Sequence, residues 1–234
     1  MKRIKVIAFD LDDTLWDSKP VLIRAEQYLD EWLTTRVPDL QYTVADMRDL
    51  RPLVLHDNPE LAHYITELRR RVIEIAMQLS GLGHKESKAL SQEAIKVFLA
   101  ARNEINLPQE TMGIIRALFG EFTLGSLTNG NANIHSLGLS PYFSFAYAAE
   151  DVGASKPASD LFHAALRHTN CRPPEMVYVG DDPLLDIDPA NAVGLRTVML
   201  QNPRHTEPGE TEPDEIITRI TELPDIIERF QTGD

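Results

Sequence analysis

Cysteine is nearly absent: Cys171 stands alone among 234 residues, so no disulfide can close within the chain and no four-thiolate zinc site can form. Positive charge is also scarce. Lys and Arg total 23 against 36 Asp and Glu, a formal net charge of −13, which argues against a general binder of nucleic acid or of anionic membranes. No apolar run approaches the ~20 residues needed to span a bilayer, and the chain has neither an internal repeat nor a low-complexity segment. These absences read as a cytoplasmic protein whose partner is a small molecule, with no nucleic acid polymer and no membrane. If that molecule is anionic, the few cations must be gathered where it binds.

What is present is ordinary globular composition, 43% hydrophobic and 25% charged, enough to build a real core. Ile4 to Phe9 is a short apolar run stopped by acidic residues, the signature of a buried strand. From Pro20 to about Ile105, apolar residues such as Val21, Leu22, Ala25, Leu29, Trp32 and Leu33 recur every three to four positions, which reads as a helical block. Breaks are expected at Val37-Pro38-Asp39, Asn58-Pro59 and Gly81-Leu82-Gly83. Beyond Pro108 the pattern alternates. Phe122 to Leu127, Met176 to Val179 and Arg196 to Leu200 read as strands, while Glu110 to Phe119, Asp160 to His168 and Leu184 to Val193 read as helices. Gln201 to Asp214 reads as a surface loop, followed by a last strand or helix near Leu223 to Phe230. Such alternation predicts βαβ units in a doubly wound, mainly parallel α/β sheet. An α-helical block interrupts that sheet after its first strand.

Chemistry collects at the predicted strand ends, where open α/β sheets bind ligands. Asp10-Leu-Asp12-Asp-Thr14 closes the first strand, with residues 10 and 12 on one side if the extended geometry continues. Two carboxylates ~4 Å apart repel by about 4 kcal/mol at an effective dielectric of ~20, so the pair calls for a cation or a shared proton. A hard cation such as magnesium suits oxygen ligands. The next strand ends in Thr128-Asn129-Gly130, a hydroxyl and an amide beside a glycine that lets backbone N–H groups approach an anion. Lys156 precedes Pro157, and Gly180-Asp181-Asp182-Pro183-Leu184-Leu185-Asp186 follows the strand at Met176. Taken singly, each has a plainer reading: a turn at Thr128, a solvated lysine, a helix cap at Asp182 and a favourable first-turn charge at Asp186.

In this order, the motifs Asp10-x-Asp12-x-Thr14, Thr128, Lys156-Pro157 and Gly180-Asp181-x4-Asp186 resemble the haloacid dehalogenase-like hydrolase superfamily. The resemblance implies a catalytic core over residues 1–16 and 106–234, with a helical cap over 17–105. It implies a magnesium-dependent phosphatase acting on a small phosphorylated metabolite. Asp10 would be the nucleophile, forming an aspartyl phosphate, and Asp12 the general acid and base. Asp10, the carbonyl of Asp12 and Asp181 would hold the metal, with Asp186 just behind them, and Thr128, Asn129 and Lys156 would bind phosphate. Two other readings differ in class. A 2-haloacid dehalogenase needs neither Asp12 nor a metal, and a phosphoacceptor signalling domain needs no helical insert.

Within the helical block, Pro59 to Arg70 is similar to a cap segment of phosphatases acting on flavin mononucleotide and related ribityl phosphates, which implies that His63 and Arg69 set substrate selectivity. Tyr64 departs from that pattern, where an acidic residue is expected. An ordinary helix surface, with Glu67 paired to Arg71 and Arg70 to Glu74, explains the same charges.

Overall fold

A computed structural model describes residues 3–232. The described chain divides into two compact units, one drawn from Met1–Asp17 and Asn106–Asp234, the other Ser18–Ile105.

In the first unit, β1 (Val6–Phe9) is buried along its whole length, as expected of a strand covered on both faces. The unit continues through α5 (Gln109–Leu118), β2 (Thr123–Thr128), β3 (Phe143–Ala148), α6 (Ala149–Val152), α7 (Asp160–Thr169) and β4 (Met176–Gly180). After β4 come α8 (Asp188–Val193), β5 (Arg196–Leu200), β6 (Glu215–Ile217) and α9 (Leu223–Thr232). The six strands are parallel in the order β3-β2-β1-β4-β5-β6. Because β1 lies between β2 and β4, the carboxyl ends that carry Asp10, Thr128 and Asp181 become neighbours although the residues are far apart in sequence.

β3 and β6 were not anticipated. Residues along β3 alternate between buried and exposed over its first four positions, and β6 has only three residues, so neither forms the continuous apolar run that marks the inner strands. Gly125 permits the β2–β3 packing: a Cβ there would lie 2.3 Å from the Phe145 ring.

The second unit packs α1 (Ser18–Arg36), α2 (Arg51–Asp57), α3 (Ile65–Leu79) and α4 (His84–Arg102). α1 buries Val21, Ala25, Leu29 and Leu33 at four-residue spacing. Ala25, Leu29 and Leu33 join Val72, Ile73, Ala76, Ala94 and Phe98 in one core. The helices end where the sequence breaks fall: α1 before Val37, α2 before Asn58 and α3 before Gly81. Glu74, expected on a solvated face, is buried. Arg70 pairs with both Glu67 and Glu74, and Arg71 turns to Glu74 at 2.8 Å instead of Glu67.

Candidate active site

Lys156 is the hub. Its Nζ donates to Asp10 Oδ1 at 2.7 Å, Asp186 Oδ1 at 2.5 Å, the Tyr178 hydroxyl at 2.8 Å and the carbonyl of Leu127 at 3.2 Å. More acceptors surround the ammonium than its three protons can serve at once, so the bonds are shared. All four residues are buried.

Local backbone brings the lysine there. Gly153, in the left-handed region at φ 71°, ends α6 and turns the chain back. The Asn129 amide then clamps the Lys156 peptide from both sides, accepting from its N–H at 2.7 Å and donating to its carbonyl at 3.0 Å. Thr128 Oγ1 accepts from the N–H of Gly130 at 2.9 Å and shapes the turn that carries Asn129.

On the other flank, Gly180 makes room for Asp186, since a Cβ at position 180 would sit 2.5 Å from the Asp186 carboxyl carbon. Asp186 Oδ2 accepts from the N–H groups of Asp181 at 3.2 Å and Asp182 at 3.1 Å, while Oδ1 also accepts from Tyr178 at 2.9 Å. Asp182, for which the sequence suggested no catalytic role, caps the turn at Pro183–Ile187 by accepting from the N–H groups of Leu184 and Leu185. Asp13 adopts φ 63° and pairs with Arg204.

Asp10, Asp181 and Asp186 each present a carboxylate oxygen within 4.8 Å of the others. Against these three carboxylates stands the single ammonium of Lys156. Burial, with the charges of Asp186 and Asp12 added, pushes Asp10 well above the usual carboxylate range despite the opposing pull of Lys156. Burial also raises Asp181, against donors from Asn202 and Thr14 and the pull of His205. Burial would lower Lys156, but Asp10 and Asp186 overrule it and hold the amine protonated above its ordinary range. The excess negative charge and hard oxygen donors fit a divalent cation. Asp186 already accepts four hydrogen bonds.

Sequence reasoning missed Tyr178 and the Gln201–Asp214 loop as parts of the site. Tyr178 was absorbed into an apolar strand; its signal was a hydroxyl within that run. The loop lies on the surface but is pinned to the site. Asn202 Nδ2 donates to Asp181 Oδ2 at 2.7 Å, and His205 Nε2 lies 3.0 Å from the same oxygen. Arg204 reaches Asp13 and Asp17. Asn, Arg and His just beyond the end of β5 were the available signal. His63 and Arg69 lie in the helical unit, where Arg69 sits 4.0 Å above the Phe98 ring centroid and 3.7 Å from Glu26.

The family model for haloacid dehalogenase-like hydrolases matches residues 4–194. The chain belongs to the haloacid dehalogenase-like hydrolases. It is an enzyme, and curated relatives of this hydrolase are named phosphatases. The 5-amino-6-(5-phospho-D-ribitylamino)uracil phosphatase YigB of Escherichia coli (strain K12) is 35% identical over 200 residues, covering 85% of this chain and 84% of that protein. A glyceraldehyde 3-phosphate phosphatase of Pyrococcus furiosus is 26% identical over 242 residues, covering 100% and 97%. A solved structure described as a 2-haloacid dehalogenase from Pseudomonas syringae pv. Tomato DC3000 matches with a TM-score of 0.91 at 37% identity, covering 97% and 99% of the two chains. Among the described residues, no helix is long and apolar enough to cross a membrane.

Proposed function

We propose that this hydrolase is a magnesium-dependent phosphatase that cleaves phosphomonoesters of small metabolites through a covalent intermediate on Asp10. The observation that carries the reading is Asp10 itself: a buried strand-end carboxylate held by Lys156 at 2.7 Å, with Asp181 and Asp186 gathered around it.

A carboxylate oxygen of Asp10 attacks phosphorus and forms a P–O bond as the ester P–O bond breaks. Asp12 gives its proton to the departing alkoxide. Asp12, now ionised, accepts a proton from water, whose oxygen attacks phosphorus and releases inorganic phosphate with the Asp10 carboxylate restored. Thr128 and Lys156 bind phosphate oxygens, and Asn129 supports Lys156 through its peptide. Asp10, the carbonyl of Asp12 and Asp181 would hold magnesium, whose charge would neutralise that of the transferring phosphoryl group.

The name of the E. coli relative makes ribityl phosphates the first substrates to try, with flavin mononucleotide among them. His63 and Arg69 are the proposed selectivity residues in the helical unit. A second reading, dehalogenation, draws on the similarity to the P. syringae structure; Asp12 and the carboxylate cluster at Asp10 favour phosphoryl transfer.

A substrate screen decides between them. It compares ribityl phosphates, sugar phosphates, nucleotides and 2-chloropropionate by kcat/KM, with magnesium and with EDTA. The expected result is phosphate release that EDTA abolishes and magnesium restores, with calcium a poor substitute. Metal-independent chloride release without phosphate release sinks the phosphatase reading, and a single long-lived phosphorylation without turnover assigns a phosphoacceptor.

A further inference from the structure

The helical unit contains a pocket whose charge is opposite to that of the chain as a whole. Its wall includes Arg48, Arg51, Arg69 and one carboxylate, Glu26, over an apolar floor that includes Leu29 and Met47. It is a small cavity of about 90 Å³ that opens to solvent, so a bound molecule would seat its charged end and one edge of its body there and extend outward. The lining thus carries three guanidinium groups and one carboxylate in a protein whose formal charge is −13.

Glu26 is divided between two of them, 2.5 Å from Arg48 and 3.7 Å from Arg69. Arg69 is mostly covered, stacked over Phe98, and its Nε is buried without a hydrogen-bond partner among the described residues. Buried N–H donors are normally satisfied, and a buried cation needs a compensating anion. Burial and the nearby Arg51, Arg48 and Arg102 pull the Arg69 guanidinium below its ordinary range against the opposing charge of Glu26, as expected where cations outnumber anions. The unmet requirement is for negative charge, and the floor favours a ligand with an apolar body.

We infer that this pocket binds an organic anion: a carboxylate or phosphate group on an apolar, planar body, the charged group meeting the arginines and the body lying against Leu29 and Met47. Arg offers planar paired donors suited to either anion. The inference is independent of whether Asp10 turns over phosphate. Glu26 acts as an internal competitor that occupies the arginines when the pocket is empty. This role gives a test of sign: removing its charge should strengthen ligand binding while weakening the unliganded pair.

The experiment uses full-length Asp10→Asn protein in EDTA, so hydrolysis cannot occur, and measures binding of 2-naphthoate by calorimetry. The neutral analogue 2-naphthylmethanol and inorganic phosphate serve as comparison probes. The expected result is saturable 2-naphthoate binding at least about tenfold tighter than that of the alcohol, equivalent to ~1.4 kcal/mol, and tighter than that of inorganic phosphate. Adding Arg51→Gln, an exposed position, should weaken binding about tenfold, and Glu26→Gln should tighten it severalfold. Absence of saturable binding, equal affinity for acid and alcohol, binding of inorganic phosphate as tight as that of 2-naphthoate, indifference to Arg51→Gln or weaker binding in Glu26→Gln each overturns the proposal. Thermal melts of every variant identify misfolding, and Arg48→Gln provides a second reading at the pocket wall if Arg51→Gln melts early.

Discussion

Both units bury charge, but with opposite consequences for the carboxylates involved. In the α/β unit, Asp10 is raised by burial and by the charges of Asp186 and Asp12, against the opposing pull of Lys156. In the helical unit, burial would raise Glu74, yet hydrogen bonds from Arg70 and Arg71 hold it below the usual range. Glu74 thus belongs to a satisfied structural network, whereas the Asp10 cluster retains a charge imbalance that a metal and a phosphate can use. A strained titration combined with a strand-end position points to chemistry more strongly than burial of charge alone.

The comparison breaks most sharply in turnover. Asp10→Asn is expected to lower kcat by at least about a thousandfold, because its amide cannot form the acyl phosphate, while Glu74→Gln should leave kcat within about threefold in protein that remains folded. Steady-state phosphate release, paired with circular dichroism, checks both variants. Near-normal turnover in Asp10→Asn excludes covalent catalysis at that residue.

Stability gives the next contrast. Lys156→Met leaves the buried carboxylates without their shared cation and should cost about 3–5 kcal/mol in metal-free urea melts. Glu74→Gln should cost about 1–2 kcal/mol, since Arg70 and Arg71 retain access to solvent. Equal costs would mean that the two networks are energetically alike.

The smallest effect is a pH slope. Because Asp10 is raised in the folded state, the native protein binds more protons than the unfolded chain from about pH 4 up through the folded pKa. Its stabilising contribution is present at low pH and is lost as pH rises through that window. Metal-free Asp10→Asn should therefore show a flatter dependence and melt about 2–4 °C higher near neutral pH, corresponding to ~1 kcal/mol. A steeper slope in the variant would reverse the assigned balance.

The sequence by itself determined the alternating α/β core, the helical interruption and the order of Asp10, Asp12, Thr128, Lys156, Asp181 and Asp186. Apolar runs and four-residue helical periodicity are local, so they can be read without knowing the neighbours. Tertiary structure alone decided that Asn129 positions Lys156, that Tyr178 donates to Asp186 and that Asn202 and His205 meet Asp181. It also decided that Glu74 is buried and that three arginines line a pocket with Glu26. These relations depend on parallel strands aligning distant residues and on helices turning charged faces inward. No periodicity records which distant charge will be opposite, because that is set only when the apolar faces pack.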